Sequence, residues 1–280
     1  MKIAMVQLAS PAEETPAERR VRAGKLVERA AGADLVVLPE LWAVGYFAFD
    51  DYERAAEPLD GPTVAAGRTW ARRLGAHVHI GSLLERDEHG RLFNTAVLLA
   101  PDGSIVHTYR KVHVFGYASR EAELLTPGDT LEVATTALGR IGATTCYDLR
   151  FPELWRALVD RGARTVVVPA AWPAARREHW RLFTSCRAVE EQLLVIAVNA
   201  VGQQGAVELG GTSRVVDPWG TVLAEAGTGE EVLRCEVDES IVDTVRTEFP
   251  VLADRRWPVT GDRQRSCVPD NTEEIMGAGS

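Results

Sequence analysis

Short apolar runs rich in Val, Ile and Leu alternate along the chain with longer segments in which apolar residues recur at helical spacing. Apolar runs bounded by Gly and Pro are typical of buried strands, and the amphipathic segments are typical of helices. This alternation predicts an α/β protein. The predicted helices span about 16–31, 62–75, 152–161 and 176–192, and predicted strands include 2–6, 34–38, 77–84, 140–145 and 193–200.

The same sequence pattern occurs twice along the chain. Residues 32–42 read GADLVVLPELW and residues 162–172 read GARTVVVPAAW. Each segment has a Gly that ends a helix, an apolar strand, a Pro and a Trp just past the strand. Further matched pairs are 2–6 with 140–144, 77–84 with 193–200, and the hairpin 94–103 with 212–220. The chain is therefore predicted to contain two pseudo-equivalent halves, about 1–112 and 139–224.

Each half has the order β-α-β-α-β-β, which forms one sheet with its helices on one face. The other face of such a sheet is apolar and needs a partner. Stacking the two sheets predicts a four-layer α-β-β-α sandwich in a single domain, residues 1–258. The remaining tail, residues 259–280, is polar and without periodicity, so we expect it to be mobile. Cys267, which lies in this tail, is not expected to be catalytic.

Charge and composition narrow the function classes. The 280 residues carry a formal net charge of -9 and are 46% hydrophobic. An acidic chain is poorly suited to nucleic acid or to an anionic membrane surface. No signal-like start or membrane-spanning apolar run occurs, which favours a cytoplasmic protein. The four cysteines have no CxxC spacing, so free thiols are expected.

Cys146 is the first candidate for chemistry. It follows a predicted strand and precedes a helix that begins near Pro152. Near a helix amino terminus, the dipole and free backbone N–H groups favour a thiolate, and the same N–H groups can hold an oxyanion. A buried structural cysteine is the commoner role for a strand cysteine, and position alone favours it.

Glu40 favours a catalytic role for Cys146 over a structural one. It directly follows an apolar strand and a proline, so burial should raise its pKa toward the range of a general base. The matching position in the second half is Ala170, so the fold itself does not require an acid there. One half therefore supplies a carboxylate and the other a thiol, at strand ends that stacking can bring together.

Other polar residues are ambiguous when taken singly. Lys111 and Glu121 would ordinarily be solvated hairpin and loop residues. His113 or His179 could partner the cysteine in a Cys–His hydrolase. His77 and His79 share one strand face as a metal pair would, but no third ligand is evident.

Known cofactor and nucleotide signatures are missing as well. The sequence contains no GxGxxG, Walker A, HExxH or GxSxG motif. Cofactor, nucleotide and serine-hydrolase functions therefore lack support.

Three segments together resemble the signatures of the nitrilase (carbon–nitrogen hydrolase) superfamily. They are Leu38-Pro39-Glu40, the run YRKVH at 109–113 and the run CYDLRFPE at 146–153, in the family's order and approximate spacing. The similarity covers about residues 1–258. The resemblance implies an α-β-β-α fold, a Glu40–Lys111–Cys146 triad, a second glutamate at Glu121, and no metal or organic cofactor.

The resemblance also implies how a substrate is held. The oxyanion would be bound by Lys111 and the Tyr147 backbone N–H, and Trp172 is expected in the substrate site. The run CYDLRFPE resembles the branch that acts on short ω-amides of carboxylic acids, such as 2-oxoglutaramate or deaminated glutathione. Arg150 would then pair the distal carboxylate, or would instead cap the helix region.

Several alternatives remain open at this point. N-carbamoyl-amine hydrolysis or nitrile hydrolysis would use the same residues, and a catalytically silent scaffolding member belongs to a different class. Family members commonly form homodimers or larger homo-oligomers, which is expected here too. One departure is Glu190-Glu191-Gln192 where the family often has Glu-Asn-Gln. We expect that change to affect packing or assembly rather than chemistry.

Overall fold

The computed structural model describes residues 1–238 and 240–256. Its strands are β1 Lys2–Gln7, β2 Leu35–Val37, β3 His77–Arg86, β4 Leu92–Leu99, β5 Ile105–Arg110, β6 Val133–Thr136, β7 Gly139–Ala143, β8 Thr165–Ala170, β9 Leu194–Asn199, β10 Val201–Gln204, β11 Val207–Gly210, β12 Arg214–Val216, β13 Val222–Glu225 and β14 Glu231–Glu236. Its α-helices are α1 Pro16–Glu28, α2 Tyr52–Ala55, α3 Pro62–Leu74, α4 Glu121–Leu124, α5 Pro152–Asp160, α6 Arg177–Glu191 and α7 Ile241–Glu248, and short 3₁₀ helices span Phe49–Asp51, Cys146–Arg150 and Ala174–Arg176.

Two six-stranded sheets share one plan. The first has the order β14-β1-β2-β3-β4-β5 and the second has the order β6-β7-β8-β9-β12-β13. In each sheet the three strands after the edge strand are parallel, and the other pairings are antiparallel. The predicted duplication is confirmed.

Apolar side chains define the layers. Helices α1 and α3 pack against the outer face of the first sheet, and α5 and α6 pack against the outer face of the second. A further cluster joins the inner faces, with Met5 and Val37 from one sheet against Val167 and Ile196 from the other. The protein is therefore a four-layer α-β-β-α sandwich, as predicted.

Local sequence accounts for the helix boundaries. Thr15 and Glu18 form a capping box at the start of α1, and proline is the first residue of α1, α3 and α5. Gly75 and Gly162 take left-handed conformations, with φ of 61° and 84°, where α3 and α5 end. Glycine adopts that conformation without strain, so the chain turns directly into the next strand.

Some elements differ from the prediction. Edge strands β6 and β14 and the hairpin of β10 and β11 were not predicted. Strand β7 ends at Ala143, so Cys146 lies in the following 3₁₀ helix and not at the strand tip. No helix in the described part of the chain is long and apolar enough to cross a membrane. The predicted tail, residues 259–280 with Cys267, lies outside the described residues.

Candidate active site

The carboxyl ends of β2 and β8 meet between the stacked sheets. The Glu40 N–H lies 3.4 Å from the Ala170 carbonyl oxygen, and the Ala171 N–H donates to Glu40 Oε2 at 2.9 Å. Both contacts join residues just after the repeated apolar strand and proline. The equivalent ends of the two halves are therefore in direct contact.

Lys111 lies between two carboxylates. Its Nζ is 2.9 Å from Glu40 Oε1 and 2.9 Å from each carboxylate oxygen of Glu121. All three side chains are fully buried, with 0% exposure. An ammonium has three N–H donors, which equals the number of carboxylate oxygens within 2.9 Å of Lys111 Nζ.

Asn94 and Tyr46 complete this cluster, and their roles were not predicted. Asn94 Nδ2 donates to Glu40 at 2.8 Å and to Glu121 at 3.0 Å. The Tyr46 hydroxyl donates to Glu121 Oε2 at 3.0 Å. Asn94 falls within residues 1–258, over which the sequence resembles the family, and Tyr46 lies six residues after Glu40 in an aromatic run, so both had a weak sequence signal.

Cys146 approaches the cluster from the second half. It begins the 3₁₀ helix Cys146–Arg150 in a left-handed conformation, with φ of 47°. Its thiol lies near enough to the Glu40 carboxylate and the Ala171 N–H for both to affect its pKa. The left-handed turn directs a cysteine that is 9% exposed toward a carboxylate from the other half. An ordinary structural cysteine needs no such conformation.

The charges of the cluster determine its protonation. Burial raises the pKa of Glu40, and Glu121 adds to this, while Lys111 opposes it. Burial alone would lower the pKa of Lys111, but Glu121 and Glu40 outweigh it and raise that pKa well above its usual value. The cluster thus combines two carboxyl groups with one ammonium.

The predicted thiolate preference is wrong. Burial first and the Glu40 charge second raise the pKa of the Cys146 thiol well above its usual value, although Lys111 and the Ala171 N–H act in the opposite direction. The helix dipole acts on the thiol locally, whereas the larger effects come from burial and from the Glu40 carboxylate of the other half. This direction favours a thiol over a thiolate at Cys146.

Asp148 connects the end of β5, next to Lys111, with the 3₁₀ helix that begins at Cys146. Its buried carboxylate accepts hydrogen bonds from the Tyr109 hydroxyl at 2.7 Å, the Thr145 N–H at 2.9 Å and the His113 N–H at 3.0 Å. The His113 ring lies 2.7 Å from the same carboxylate through Nδ1 and stacks on Phe151. Asp148 therefore fixes the segments that carry two site residues relative to each other.

The histidines have other partners. His113 contacts Asp148, and His179 Nδ1 lies 3.3 Å from Arg150 Nη2. Within residues 1–238 and 240–256, neither ring contacts the Cys146 thiol, so the geometry does not support a Cys–His pair.

The strand histidines give no metal site either. Burial lowers the pKa of His79 to about 3. No group of three His, Cys, Asp or Glu residues that could hold a metal occurs among the described residues.

A small pocket of about 30 Å³ opens above Cys146. Its walls are mainly aromatic, and its charged members are two arginines. The lining residues are Tyr46, Phe47, Phe115, Cys146, Tyr147, Arg150, Ala171, Trp172, Pro173 and Arg176. Three of the predicted substrate-site residues, Tyr147, Arg150 and Trp172, thus line the same pocket as the thiol.

The backbone and side chains of the wall are available to a ligand. The Tyr147 N–H has no acceptor in the described structure. The Arg150 guanidinium lies 4.9 Å from the Trp172 ring centroid and 5.1 Å from that of Phe183. It forms no ion pair with a described residue and donates to no helix-end carbonyl, so it does not cap the helix region.

Comparisons with known proteins agree with this geometry. A profile of the carbon–nitrogen hydrolase family matches residues 2–247. The chain is 38% identical to a 2-oxoglutaramate amidase from Paenarthrobacter nicotinovorans, over 93% of this chain and 92% of that protein. A crystal structure of a CN-hydrolase superfamily protein from Xanthomonas campestris superposes with a TM-score of 0.86 at 34% identity, covering 93% of this chain and 99% of that one.

A third similar protein has a chemically modified active-site cysteine. An amidase variant from Nesterenkonia sp. AN1 carries an acrylamide adduct at its active-site cysteine. It superposes with a TM-score of 0.76 at 26% identity, covering 90% of this chain and 99% of that one. The protein described here belongs to the carbon–nitrogen hydrolase family and is a cysteine-dependent enzyme of the amidase type.

Proposed function

We propose that this protein hydrolyses a short ω-amide of a carboxylic acid, with Cys146 as nucleophile and Glu40 as general base. The observation that carries the proposal is the juxtaposition of the Cys146 thiol and the buried Glu40 carboxylate, each of which affects the pKa of the other. A general base must lie within hydrogen-bond reach of the proton that it takes. The mutual effect of the two groups supports Glu40 in that role.

Acylation begins when Glu40 takes the thiol proton. The sulfur of Cys146 then forms a bond to the amide carbonyl carbon, and the carbonyl oxygen becomes an oxyanion. Protonated Glu40 returns its proton to the amide nitrogen, the carbon–nitrogen bond breaks, and ammonia leaves. A thioester remains on Cys146. The raised pKa of Glu40 favours this sequence, because the same group must accept and then donate a proton.

Deacylation repeats the same transfers with water. Glu40 takes a proton from the attacking water, and the second oxyanion collapses to release the carboxylic acid. The thiol of Cys146 recovers its proton from Glu40. No group beyond those already in the cluster is needed to balance this step.

Two donors are suited to the oxyanion. One is the Lys111 ammonium, which contacts Glu40 and Glu121 before substrate binds, and the other is the Tyr147 backbone N–H, which has no acceptor in residues 1–238 and 240–256. Loss of one such donor typically costs about 10²–10³ in rate. Glu121 would act as a positioning residue that holds the ammonium.

The substrate class follows from the pocket wall. Arg150 has no carboxylate partner among the described residues, and a guanidinium fork matches a carboxylate well. The similarity to a 2-oxoglutaramate amidase supports the same substrate class. We therefore infer that the amide is at one end of the substrate and a carboxylate is at the other, near Arg150.

Trapping the acyl-enzyme tests this proposal. The protein is mixed with a panel of linear amides and quenched in acid, and the mass of the intact chain is measured. We expect an acyl adduct that disappears in Cys146→Ala and persists in Cys186→Ala, which removes an exposed thiol as a matched control. An adduct that survives Cys146→Ala would overturn the nucleophile assignment.

Product analysis separates the alternatives. Ammonia without carbon dioxide is expected from an amide panel. Carbon dioxide release would indicate an N-carbamoyl-amine hydrolase, and nitrile consumption would indicate a nitrilase. A protein that forms neither adduct nor product across the panel would be a silent scaffolding member.

A further inference from the structure

The pocket wall contains a second arginine, Arg176, which has no part in the mechanism above. Arg176 ends the 3₁₀ helix Ala174–Arg176, directly before α6. Its carbonyl oxygen accepts a hydrogen bond from Trp172 Nε1 at 2.8 Å. The tryptophan whose ring lies against Arg150 thus also fixes the backbone of Arg176.

The Arg176 guanidinium has no anionic partner. It lies 5.8 Å from the Phe115 ring centroid, and it forms no hydrogen bond or ion pair with any residue that the structure describes. By contrast, Arg110 is paired with Glu85 and Arg181 with Glu225. A partly buried guanidinium without acceptors loses hydration that an incoming anion can replace.

The two pocket arginines reinforce each other. Burial lowers the pKa of Arg150, and the charge of Arg176 is the next cause, so the two cations are close enough to interact. None of the residues that line the pocket in the described chain is acidic. Two cations in an aromatic wall without a counter-charge favour an anionic ligand.

We propose that Arg176 is a specificity residue that binds the substrate carboxylate together with Arg150. This inference rests on the proposed amidase function and deepens it. A carboxylate has about four lone-pair sites and can accept donors from two guanidinium groups at once. The ligand class is therefore the monoamide of a dicarboxylic acid, with its free carboxylate between Arg150 and Arg176.

The neighbouring Arg177 provides a matched control. Arg176 and Arg177 both border a wider outer cleft, but only Arg176 also lines the pocket above the thiol. Arg177 Nε donates to the Gly210 carbonyl oxygen at 3.1 Å, so this guanidinium already has a backbone partner. Substituting either residue changes the net charge equally, and only one substitution alters the pocket wall.

Steady-state kinetics test the inference with two amides of similar shape. Succinamate carries a carboxylate, and 4-oxopentanamide has a neutral methyl ketone in its place. Arg176→Gln should lower the ratio of their kcat/KM values by about 10–100-fold, mainly through KM for succinamate, as for the loss of a charged hydrogen bond. Arg177→Gln should leave the ratio within about twofold.

Two further variants test whether both arginines bind the same carboxylate. If they do, the effects of Arg150→Gln and Arg176→Gln on the ratio should not be additive in the double variant. Arg176→Lys keeps the charge without the fork and should recover part of the preference. An unchanged ratio in Arg176→Gln, or an equal fall in Arg177→Gln, would overturn the inference.

An error in the proposed amidase function would give a different result from an error in the role of Arg176. A folded wild-type protein that hydrolyses neither amide would contradict the amidase assignment. Binding of succinate, measured by calorimetry, then tests the arginine site alone. We expect Arg176→Gln to weaken the succinate Kd about tenfold or more and Arg177→Gln to leave it unchanged. Equal Kd values for the wild type and Arg176→Gln would overturn the inference.

Discussion

The two matched strand ends, residues 38–42 and 168–172, differ in one decisive position. Both consist of an apolar residue, a proline, one variable residue, a further apolar residue and a tryptophan. The first end contributes the Glu40 carboxylate. The second contributes the Ala170 carbonyl and the Ala171 N–H that contact Glu40. Duplication therefore builds two equivalent strand ends, and the difference between Glu40 and Ala170 gives one end a buried carboxylate and leaves the other to contact it through its backbone.

Trp42 and Trp172, at equivalent positions of the two strand ends, also differ in what they contact. Trp42 is fully buried, donates to the Ile80 carbonyl at 2.8 Å and packs near Trp70 in the first-half core. Trp172 lines the pocket and donates to Arg176. Equivalent positions thus stabilise the core in one half and shape the site in the other.

Removing the thiol of the second half should have the largest effect. Cys146→Ala should lower kcat/KM for a linear amide by about 10⁴-fold or more, because no thioester can form. The free energy of unfolding should change by only about 1 kcal/mol. Amide hydrolysis and urea denaturation measure the two quantities. Turnover retained in this variant would falsify the nucleophile role.

Removing the Glu40 carboxylate should have the second-largest effect on turnover. Glu40→Gln should reduce turnover by about 10³-fold, because a neutral amide cannot take the thiol proton or activate water. Both acylation and deacylation should slow in rapid-mixing experiments. Glu123→Gln, which changes an exposed carboxylate in α4, is the control and should keep normal rates. A normal burst in Glu40→Gln contradicts the assignment.

Making the strand ends alike should destabilise the protein. Ala170→Glu places another carboxylate beside the buried Glu40 and Glu121, at a cost of about 3 kcal/mol in unfolding free energy. Burial should raise the pKa of the new carboxyl, so stability should recover as pH falls and be lost as pH rises. Ala170→Gln is the size-matched control, measured by urea denaturation at pH 5 and pH 8. An equal loss in both variants at both pH values would rule out charge as the cause.

The helix layers of the two halves also differ in buried charge. The effect expected from this difference, on the pH dependence of stability, is the smallest. Helix α6 buries Glu191, whose carboxylate lies 3.1 Å from Arg156, whereas α3 buries no charged residue. Burial raises the pKa of Glu191 from 4.5 to about 7. Between these values the folded state binds more protons than the unfolded state, so this residue's contribution to stability falls as pH rises.

Glu191→Gln should remove that dependence. The unfolding free energy should become flatter between pH 4.5 and 7, by about 1–3 kcal/mol across the window. Denaturation at several pH values measures it, with Glu190→Gln on the partly exposed side of α6 as the control. An identical pH profile for the wild type and Glu191→Gln would contradict the shifted ionisation.

The sequence predicts the layers well because their signals are local. Gly162 and Pro152 mark the ends of α5, and the apolar runs mark β2 and β8. The edge strands β6 and β14 were missed because their residues are only half buried and give no clear alternation. Their pairing depends on partners elsewhere in the sheet.

The site was less predictable than the fold. Glu40, Lys111 and Cys146 were expected to lie close together, and they do. The roles of Tyr46 and Arg176 depend on how loops fold over the strand ends, which periodicity does not report. The thiol pKa was predicted in the wrong direction because the dominant causes, burial and the Glu40 charge, arise only when the halves stack.

Strand β14 has a consequence for how the chain is made. It lies antiparallel along β1, pairing Lys2 with Glu236, so one of the last described strands completes the edge beside the first. During synthesis the edge of β1 stays unpaired until residues 231–236 have left the ribosome, and an unpaired strand edge can pair with other chains. Shortened chains that stop before Glu231 should therefore aggregate even though every residue of the cluster around Cys146 has been translated.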